Sequence, residues 1–356
     1  MAADILTARE LNRATLDRQY LLDRASFQVE PVLEHLVGMQ AQNPLDPYYG
    51  LWARLEHFQP EELARMTNER QVVRGQFMRG TIHLFTAEDA LRIHPLTRTV
   101  LERVFRSTSF SKDVAAVDLE RLLREARALL DRRARTRAEL AEELSGRFPG
   151  VEPGSLAQAV TYLTPVVQVP PRGVWGAKGH AAWAPIDTFL GRAYGVGISF
   201  DDLVIRYLAA FGPAAVKDMR AWSGLTGLRE VFEDLRPRLR TYRDERGAEL
   251  FDLPDIEVPD PGTPAPPRLL PEYDNVLLGH ADRSRFFDGH AQPKGWVGNV
   301  LVDGVFAGSW KVDGDTLHLR LTAHGMTEEG SVNEEAKRLA ALAWPDEVGA
   351  VRVSPF

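Results

Sequence analysis

The chain of 356 residues contains no cysteine, which excludes disulfide bonds, a thiolate metal site and a cysteine nucleophile. No apolar run approaches the roughly 20 residues that a helix needs to span a bilayer. The N-terminal Met1–Ile5 lacks the basic patch and apolar segment of a signal peptide. We therefore expect a cytoplasmic protein with no membrane association.

Lysine is scarce, since only six of the 43 basic residues are lysine. The net charge of −7 argues against attraction of the whole molecule to nucleic acid. Seven arginines nonetheless crowd into one stretch, interleaved with acidic side chains: Arg121, Arg124, Arg127, Arg132, Arg133, Arg135 and Arg137. This cluster is either a solvated helix face or a set of phosphate contacts, and the sequence leaves both open.

Common catalytic motifs are missing as well. The chain has no phosphate-binding loop, no dinucleotide fingerprint and no Gly-x-Ser-x-Gly elbow. His280 and Asp282 lie near Glu272 and Asp274, but one such group without a second ligand motif favours a salt-bridged connection over a metal site. We expect neither a metal nor an organic cofactor.

Helices followed by two or three short strands recur three times along the chain. Helix, turn, helix and hairpin is the order of a winged helix, and a chain of this length is expected to form roughly two to four domains. The sequence predicts a mainly α fold with short β wings (α+β), followed by a mixed α/β segment. The three winged helices, a Pro-rich linker and the C-terminal segment are predicted over residues 1–115, 116–195, 196–258, 259–271 and 272–356, in that order.

Capping residues and turn signals set the predicted boundaries. Thr136 with Glu139, and Ser199 with Asp202, read as capping boxes, and Asp303-Gly304 reads as a hairpin turn. The predicted helices cover residues 7–20, 29–40, 47–57, 136–147, 155–165, 199–212, 214–222, 226–235 and 328–343. The predicted strands and hairpins cover residues 72–85, 166–169, 174–176, 181–184, 239–243, 249–253, 269–273, 276–278, 300–310, 317–321 and 350–353.

Two glutamines one residue apart, Gln40 and Gln42, are the most informative polar feature. They follow an apolar helical stripe and precede Pro44, which disfavours helical angles at the residue before it. Side chains two positions apart on a helix point in nearly opposite directions, so the two amides converge only if the chain becomes extended there. The pair either caps carbonyls at a helix C-terminus, which spacing alone favours, or faces a ligand in a cleft.

Two neighbouring segments carry further candidate residues. Alternation along a strand places Arg79 and His83 on one face, which is either open to solvent or the floor of a cleft. Tyr48, Tyr49 and Trp52 follow the glutamines on a predicted helix. Core packing is the favoured interpretation of these aromatic residues, and stacking on a base is the alternative.

The segments Gln40–Pro44 and Pro47–Arg54 together resemble the signature of the AlkZ-type winged-helix DNA glycosylases. Arg79–His83, Leu270–Asn275 and His280–Arg285 are similar to that family too, so the resemblance spans essentially the whole chain. It implies three tandem winged helices in a C-shaped arrangement, with a positively charged concave face that grips duplex DNA.

The family's catalytic motif is glutamine, any residue, then glutamine or aspartate, so the resemblance implies catalytic roles for Gln40 and Gln42. The Gln-x-Gln form resembles the branch that acts on bulky natural-product adducts, including interstrand crosslinks, at N7 of purines, as in self-resistance to a toxin. The implied protein is a monomeric, monofunctional glycosylase of double-stranded DNA that carries alkylated purines. The candidate DNA contacts are Asn43, Tyr48, Arg54, Arg79, His83, Arg133, Arg135, Arg283 and Arg285.

Two functions without catalysis are the alternatives. Winged helices mostly bind DNA without chemistry, so the fold alone favours a DNA-binding regulator or a toxin-sequestering protein. A winged-helix module that binds proteins is in keeping with the net negative charge. Base release from an alkylated duplex in the presence of EDTA separates the enzyme from both.

Overall fold

The computed structural model describes residues 4–287, 298–343 and 350–355, which form a mixed α/β fold. The helices are α1 (Ala8–Arg18), α2 (Val29–His35), α3 (Asp46–Arg54), α4 (Pro60–Asn68), α5 (Ala87–Arg106), α6 (Phe110–Asp113), α7 (Leu119–Leu130), α8 (Arg137–Ser145), α9 (Pro153–Leu163), α10 (Ile186–Leu190), α11 (Phe200–Phe211), α12 (Val216–Ser223), α13 (Leu228–Leu235), α14 (Asn275–Leu278), α15 (Ala323–Thr327) and α16 (Glu329–Ala343). The strands are β1 (Ile5–Leu6), β2 (Met39–Gln40), β3 (Val72–Gln76), β4 (Ile82–Thr86), β5 (Arg135–Thr136), β6 (Val166–Val169), β7 (Ala182–Pro185), β8 (Arg240–Asp244), β9 (Glu249–Asp252), β10 (Arg268–Pro271), β11 (Gly298–Val302), β12 (Val305–Asp313), β13 (Thr316–Leu321) and β14 (Ala350–Pro355). None of the helices in these described ranges has the length and apolar character needed to cross a membrane.

The described strands form three sheets, with the orders β1-β8-β9, β2-β4-β3-β6-β7-β5 and β10-β11-β12-β13-β14. Neighbouring strands are antiparallel, except that β1 runs parallel to β8 and β13 runs parallel to β14. β3 pairs with β6, with Arg74 opposite Gln168. The first two predicted wings therefore belong to one continuous sheet, whereas the third hairpin, β8 with β9, takes β1 as its third strand.

The apolar core crosses the predicted domain boundaries. One cluster of buried side chains contains Leu33 from the first predicted unit, Leu122 from the second and Leu269 from the linker before the C-terminal segment. Another joins Phe85 of the first hairpin to Phe211 of α11. Helices and hairpins follow in the expected order, while their division into three winged helices and the C-shaped arrangement stay predictions.

The predicted caps and turn signals are present at several boundaries. Thr136 and Glu139 form a reciprocal capping box at the start of α8. The Ser199 hydroxyl accepts a hydrogen bond of 3.0 Å from the Asp202 amide at the start of α11. Asp303-Gly304 forms the turn between β11 and β12, with φ angles of 46° and 77°. These local signals were sufficient to predict the element boundaries, because each signal is contained within a few consecutive residues.

Two predicted strands are wrong. Residues 174–176 form turns and bends within the connection from β6 to β7. Residues 276–278 belong to α14, because the Asp274 side chain accepts a hydrogen bond of 2.9 Å from the Val276 amide and caps a short helix. The apolar residues of that segment gave no signal that separates a buried strand from a buried helical turn.

The predicted helix over residues 29–40 is too long, since α2 ends at His35. The amides of Val37 and Gly38 donate to carbonyls of the last helical turn at 3.0 Å each, which closes the helix. Val37 and Gly38 have φ angles of 53° and 78°. A Cβ on Gly38 would collide with the Phe85 ring, so both the backbone angle and the packing require glycine there.

Candidate active site

Gln40 and Gln42 lie on the segment that follows the turn after α2. β2 pairs with β4, which places Gln40 opposite His83, and the Ala41 amide donates to the Ile82 carbonyl at 2.8 Å. The chain is therefore extended at Gln40 and Ala41, and Gln42 follows at a bend. Backbone amides satisfy the carbonyls at the end of α2, so the helix-cap interpretation of the pair is wrong.

The amide oxygens of both glutamines accept hydrogen bonds from the hairpin of β3 and β4. The Arg79 guanidinium donates to Oε1 of Gln40 at 2.5 Å, and the Ile82 backbone amide donates to Oε1 of Gln42 at 3.2 Å. These two donors fix which end of each side-chain amide is oxygen. Among the described residues neither Nε2 has a hydrogen-bond partner, and each oxygen keeps a second lone pair. Both amides can therefore donate to and accept from a bound water.

The two glutamines differ in exposure. Gln42 is exposed to solvent, whereas Gln40 is only 6% exposed and is enclosed near Arg79 and His83. Gln42 is thus the amide that presents directly to a ligand. Gln40 is held in place by a charged donor, and a charge-assisted hydrogen bond of this kind is stronger than a neutral one.

Arg79 and His83 form a buried polar pair beneath the glutamines. The His83 ring bonds through Nδ1 to the Thr81 carbonyl at 3.0 Å, and its Nε2 lies 3.5 Å from the Arg79 guanidinium. Burial, reinforced by the Arg79 charge, lowers the pKa of His83 to about 3, so the ring is neutral at pH 7. Burial, and then Arg283, lowers the pKa of Arg79 to about 10, which leaves Arg79 charged at pH 7.

Gln42 opens onto a cleft of about 620 Å³ between the first hairpin and the second predicted unit, which we call the Gln42 cleft. Its described lining contains three arginines, four glutamines and one histidine, but no carboxylate and no lysine. The partly exposed rings of Phe110 and Tyr162 add flat apolar surface, whereas the Trp183 ring in the lining is buried. This combination suits a ligand that carries negative charge together with rings that can stack.

A family model described as DNA glycosylase AlkZ-like matches residues 33–342. The chain belongs to the AlkZ-like DNA glycosylase family. The solved structure of the Streptomyces sahachiroi DNA glycosylase AlkZ shares the fold, with a TM-score of 0.77 over 99% of this chain and 100% of that chain, at 21% identity. No curated protein matches the chain in sequence. Membership of this family confirms the resemblance found in the sequence. The substrate is therefore DNA, and the class of reaction is removal of a base.

Five predicted DNA contacts of this family member lie in its interior instead: Tyr48, Arg54, His83, Arg135 and Arg285. Tyr48 is 1% exposed and donates its hydroxyl to the Gly173 carbonyl at 2.9 Å. Arg54 is fully buried and forms a two-fold ion pair with Asp274, with N–O distances of 2.7 and 2.8 Å. Arg285 is buried and donates to a hydroxyl of α1. Because these five side chains have internal partners and are at most 8% exposed, the expectation of direct DNA contact is corrected for all of them.

In the described structure, three of the seven arginines in the cluster of residues 121–137 pair with carboxylates: Arg127, Arg133 and Arg135. Arg133 is exposed and binds Glu139 at 2.7 Å, and the buried Arg135 binds Glu143 at 2.6 Å. Ion pairing at the exposed Arg133 is compatible with the solvated-face interpretation, whereas the buried Arg135 is not part of a solvated face. Each positive charge already faces a neighbouring negative one, which weakens its attraction for a phosphate.

Two exposed or half-buried candidates remain open to DNA. Asn43 accepts a hydrogen bond of 3.2 Å from the Leu45 amide, in a turn that leads into α3. Arg283 is exposed and lies close enough to Arg79 to lower its pKa. Their contacts with DNA stay predictions.

The group around His280 has protein partners. The His280 ring bonds through Nε2 to the Phe211 carbonyl at 2.9 Å, and Asp282 binds Arg246 at 2.8 Å. This is the salt-bridged connection that the sequence favoured over a metal site.

Sequence reasoning missed several residues of the Gln42 cleft, among them Arg74, Gln76 and Arg172. Arg74 and Gln76 alternate on β3, so the period-two pattern of the predicted hairpin was a usable signal. Arg172 lies on the connection from β6 to β7, where no regular pattern marks a side chain as facing a cleft. Arg137 belonged to the predicted cluster, and it stacks over the Trp183 ring at 5.1 Å in the cleft wall.

Proposed function

We propose that the protein is a monofunctional DNA glycosylase that hydrolyses the N-glycosidic bond of N7-alkylated purines, including bulky adducts and interstrand crosslinks. The observation that carries the proposal is Gln42, an exposed amide at the bend that follows β2, at the edge of a cleft rich in arginine. A cleft, rather than a closed pocket, suits a lesion that cannot be flipped fully out of the duplex.

The chemistry of the lesion explains why neutral side chains suffice. An N7-alkylated purine is cationic and departs as a neutral base, so no acid has to protonate it. The protein must hold the distorted nucleotide, stabilise an oxocarbenium-like sugar and place a water at C1′. These are tasks of orientation, which hydrogen-bonding amides can perform.

Gln42 and Gln40 divide this task. The free lone pair on Oε1 of Gln42 accepts one O–H of the water, and its Nε2 donates to a sugar or phosphate oxygen. Gln40, anchored by Arg79, adds the second amide. Amides are weak bases, so this arrangement acts on lesions that are already activated. The described lining of the cleft holds no lysine for a Schiff base, in keeping with a monofunctional enzyme.

The test is excision from a duplex that carries N7-methylguanine, assayed in EDTA by strand scission at the abasic sites formed. Gln40→Ala and Gln42→Ala are each expected to lower the single-turnover rate by about a hundredfold, the order of magnitude for loss of one transition-state hydrogen-bonding group. Binding to a duplex with an abasic analogue should persist. Gln28→Ala, which removes an exposed glutamine outside the cleft, is the matched control and should keep its activity.

Each alternative result has a definite meaning. Equal rates in wild type, Gln40→Ala and Gln42→Ala would remove both amides from the mechanism. Tight duplex binding by the wild type without release of any base would favour a DNA-binding regulator instead.

A further inference from the structure

The Gln42 cleft concentrates positive charge in a protein whose net charge is −7. Arg74, Arg137 and Arg172 line it, and no carboxylate occurs in its described lining. Arg172 lies close enough to Arg74 to lower the pKa of that buried guanidinium further, after burial itself has lowered it. Like charges held together in a lining without a carboxylate create a site that an anion stabilises.

Two buried polar groups of the cleft lack partners among the described residues. Arg74 donates to the Gln168 side chain at 2.9 Å and to the Ala41 carbonyl at 2.8 Å, but its Nε is unsatisfied. Gln76 is 4% exposed, and its Oε1 is also unsatisfied. Arg74 Nε is a donor that an anion's oxygen can satisfy, whereas Gln76 Oε1 is an acceptor and takes a donor such as water.

The segment that carries Arg172 is fixed to the rest of the protein. The Tyr48 hydroxyl donates to the Gly173 carbonyl at 2.9 Å and accepts from the Trp175 amide at 3.1 Å. A Cβ on Gly173 would lie 2.7 Å from Cδ of Arg74, so the backbone here packs directly on that side chain. Arg172 is therefore presented by a segment that needs little ordering when a ligand binds.

We propose that the Gln42 cleft binds a phosphodiester of the target strand beside the nucleotide that is excised, with Arg172 and Arg137 as its charged contacts. Arg74 Nε and Gln76 Nε2 then donate to oxygens of the same sugar–phosphate unit. This inference rests on the proposed function and assigns these residues the positioning of C1′ relative to Gln42. Phosphate contacts set the register of a protein on DNA, which is what a hydrolytic site on one nucleotide requires.

The first test measures binding to a duplex with an uncleavable abasic analogue, as a function of salt. Arg172→Ala is expected to weaken binding about tenfold and to reduce the salt slope by about one, as for the loss of one phosphate contact. Arg172→Lys should retain most of the slope. Arg229→Ala, an exposed arginine outside the cleft, is the control and should retain the wild-type slope.

The decisive test combines Arg172→Ala with duplexes in which one phosphate at a time is a neutral methylphosphonate. At one position beside the abasic analogue, neutralisation should weaken wild-type binding about tenfold and leave Arg172→Ala nearly unaffected, as for two partners of one contact. If the losses of binding free energy caused by Arg172→Ala and by the methylphosphonate are additive at every position, the proposal is overturned. Protection against thermal unfolding by deoxyguanosine monophosphate or inorganic phosphate equal to that by the duplex would assign the cleft to a free phosphate and overturn it too.

The binding tests are independent of catalysis. If the wild type releases no base, the proposed function fails, and the coupling between Arg172 and one phosphate still decides the subsite. If bases are released but no phosphate couples to Arg172, the subsite fails and the glycosylase assignment stands.

Discussion

Replacement of Arg79 by methionine isolates the hydrogen bond that holds Gln40, because it leaves both glutamines in the chain. The Arg79 guanidinium donates to Oε1 of Gln40 and to the Trp222 carbonyl. Arg79 also adopts a φ of 55°, and methionine, which is likewise unbranched at Cβ, leaves that backbone cost unchanged. The change therefore removes a donor and a charge from beneath Gln40 while it keeps an unbranched apolar side chain.

The expected size of the effect follows from this bond. A hydrogen bond from a charged group contributes about 1.5–3 kcal/mol. If Gln40 must be oriented in the transition state, the single-turnover excision rate should fall by roughly ten- to 150-fold, since about 1.4 kcal/mol corresponds to a factor of ten. His83 should stay neutral at pH 7, because burial is the larger cause of its low pKa and the Arg79 charge the smaller one.

The assay compares excision with binding to the abasic-analogue duplex. Arg79→Met should lose excision with little loss of binding, because its guanidinium bonds inside the protein. Arg103→Met is the matched control, since Arg103 donates to the nearby Gly224 carbonyl at 3.1 Å but not to Gln40. An equal loss of binding and excision in Arg79→Met, or an equal loss of excision in Arg103→Met, would refute the reasoning.

Three further predictions concern the scaffold around the site. Arg54→Met leaves Asp274 buried without its ion-pair partner and should lower the free energy of unfolding in urea by about 3–5 kcal/mol. A loss below about 1 kcal/mol, which is the range of exposed ion pairs, would contradict this prediction. Burial, with neighbouring carboxylates, raises the pKa of Asp46 from 3.8 to about 8. The stability that the protonated Asp46 carboxyl contributes is therefore complete below about pH 4 and is lost as the pH rises to about 8. Asp46→Asn should therefore gain thermal stability relative to wild type across that window, and a constant difference would argue against a protonated carboxyl. Gly38→Ala should lower the free energy of unfolding by more than about 1 kcal/mol and reduce the excision rate, because the new Cβ meets the Phe85 ring at a positive φ. If the variant has the melting temperature and excision rate of the wild type, the turn at Gly38 does not require glycine.

The location of the glutamine pair could be predicted from sequence, but the path of the chain into it could not. Pro44 indicated that the segment could not continue as a helix, and the segment is extended at Gln40. The helix ends earlier because Val37 adopts a left-handed φ of 53°. A β-branched residue rarely takes this conformation, so no local rule would have placed the end of α2 there.

Polar residues near the pair were misassigned to the DNA surface for a different reason. Arg54 reaches Asp274, which lies 220 residues away in sequence, and Tyr48 reaches Gly173, which lies 125 residues away. From composition alone, an arginine or a tyrosine hydroxyl is expected to contact water or a ligand. A buried partner supplied by the tertiary fold satisfies the same groups, and sequence spacing carries no record of such a partner.

The Gln42 cleft depends on the same kind of distant contact. One wall comes from β3 and the other from the segments around β6, and direct pairing of these two strands makes the walls parts of one sheet. Arg74 strengthens this connection, because its guanidinium bonds both Gln168 of β6 and the carbonyl of Ala41, the residue between the two glutamines. The distance between the glutamine pair and the second predicted unit is therefore set by hydrogen bonds within a sheet. A catalytic arrangement built in this way does not need two separate domains to close on the DNA before the amides are in position.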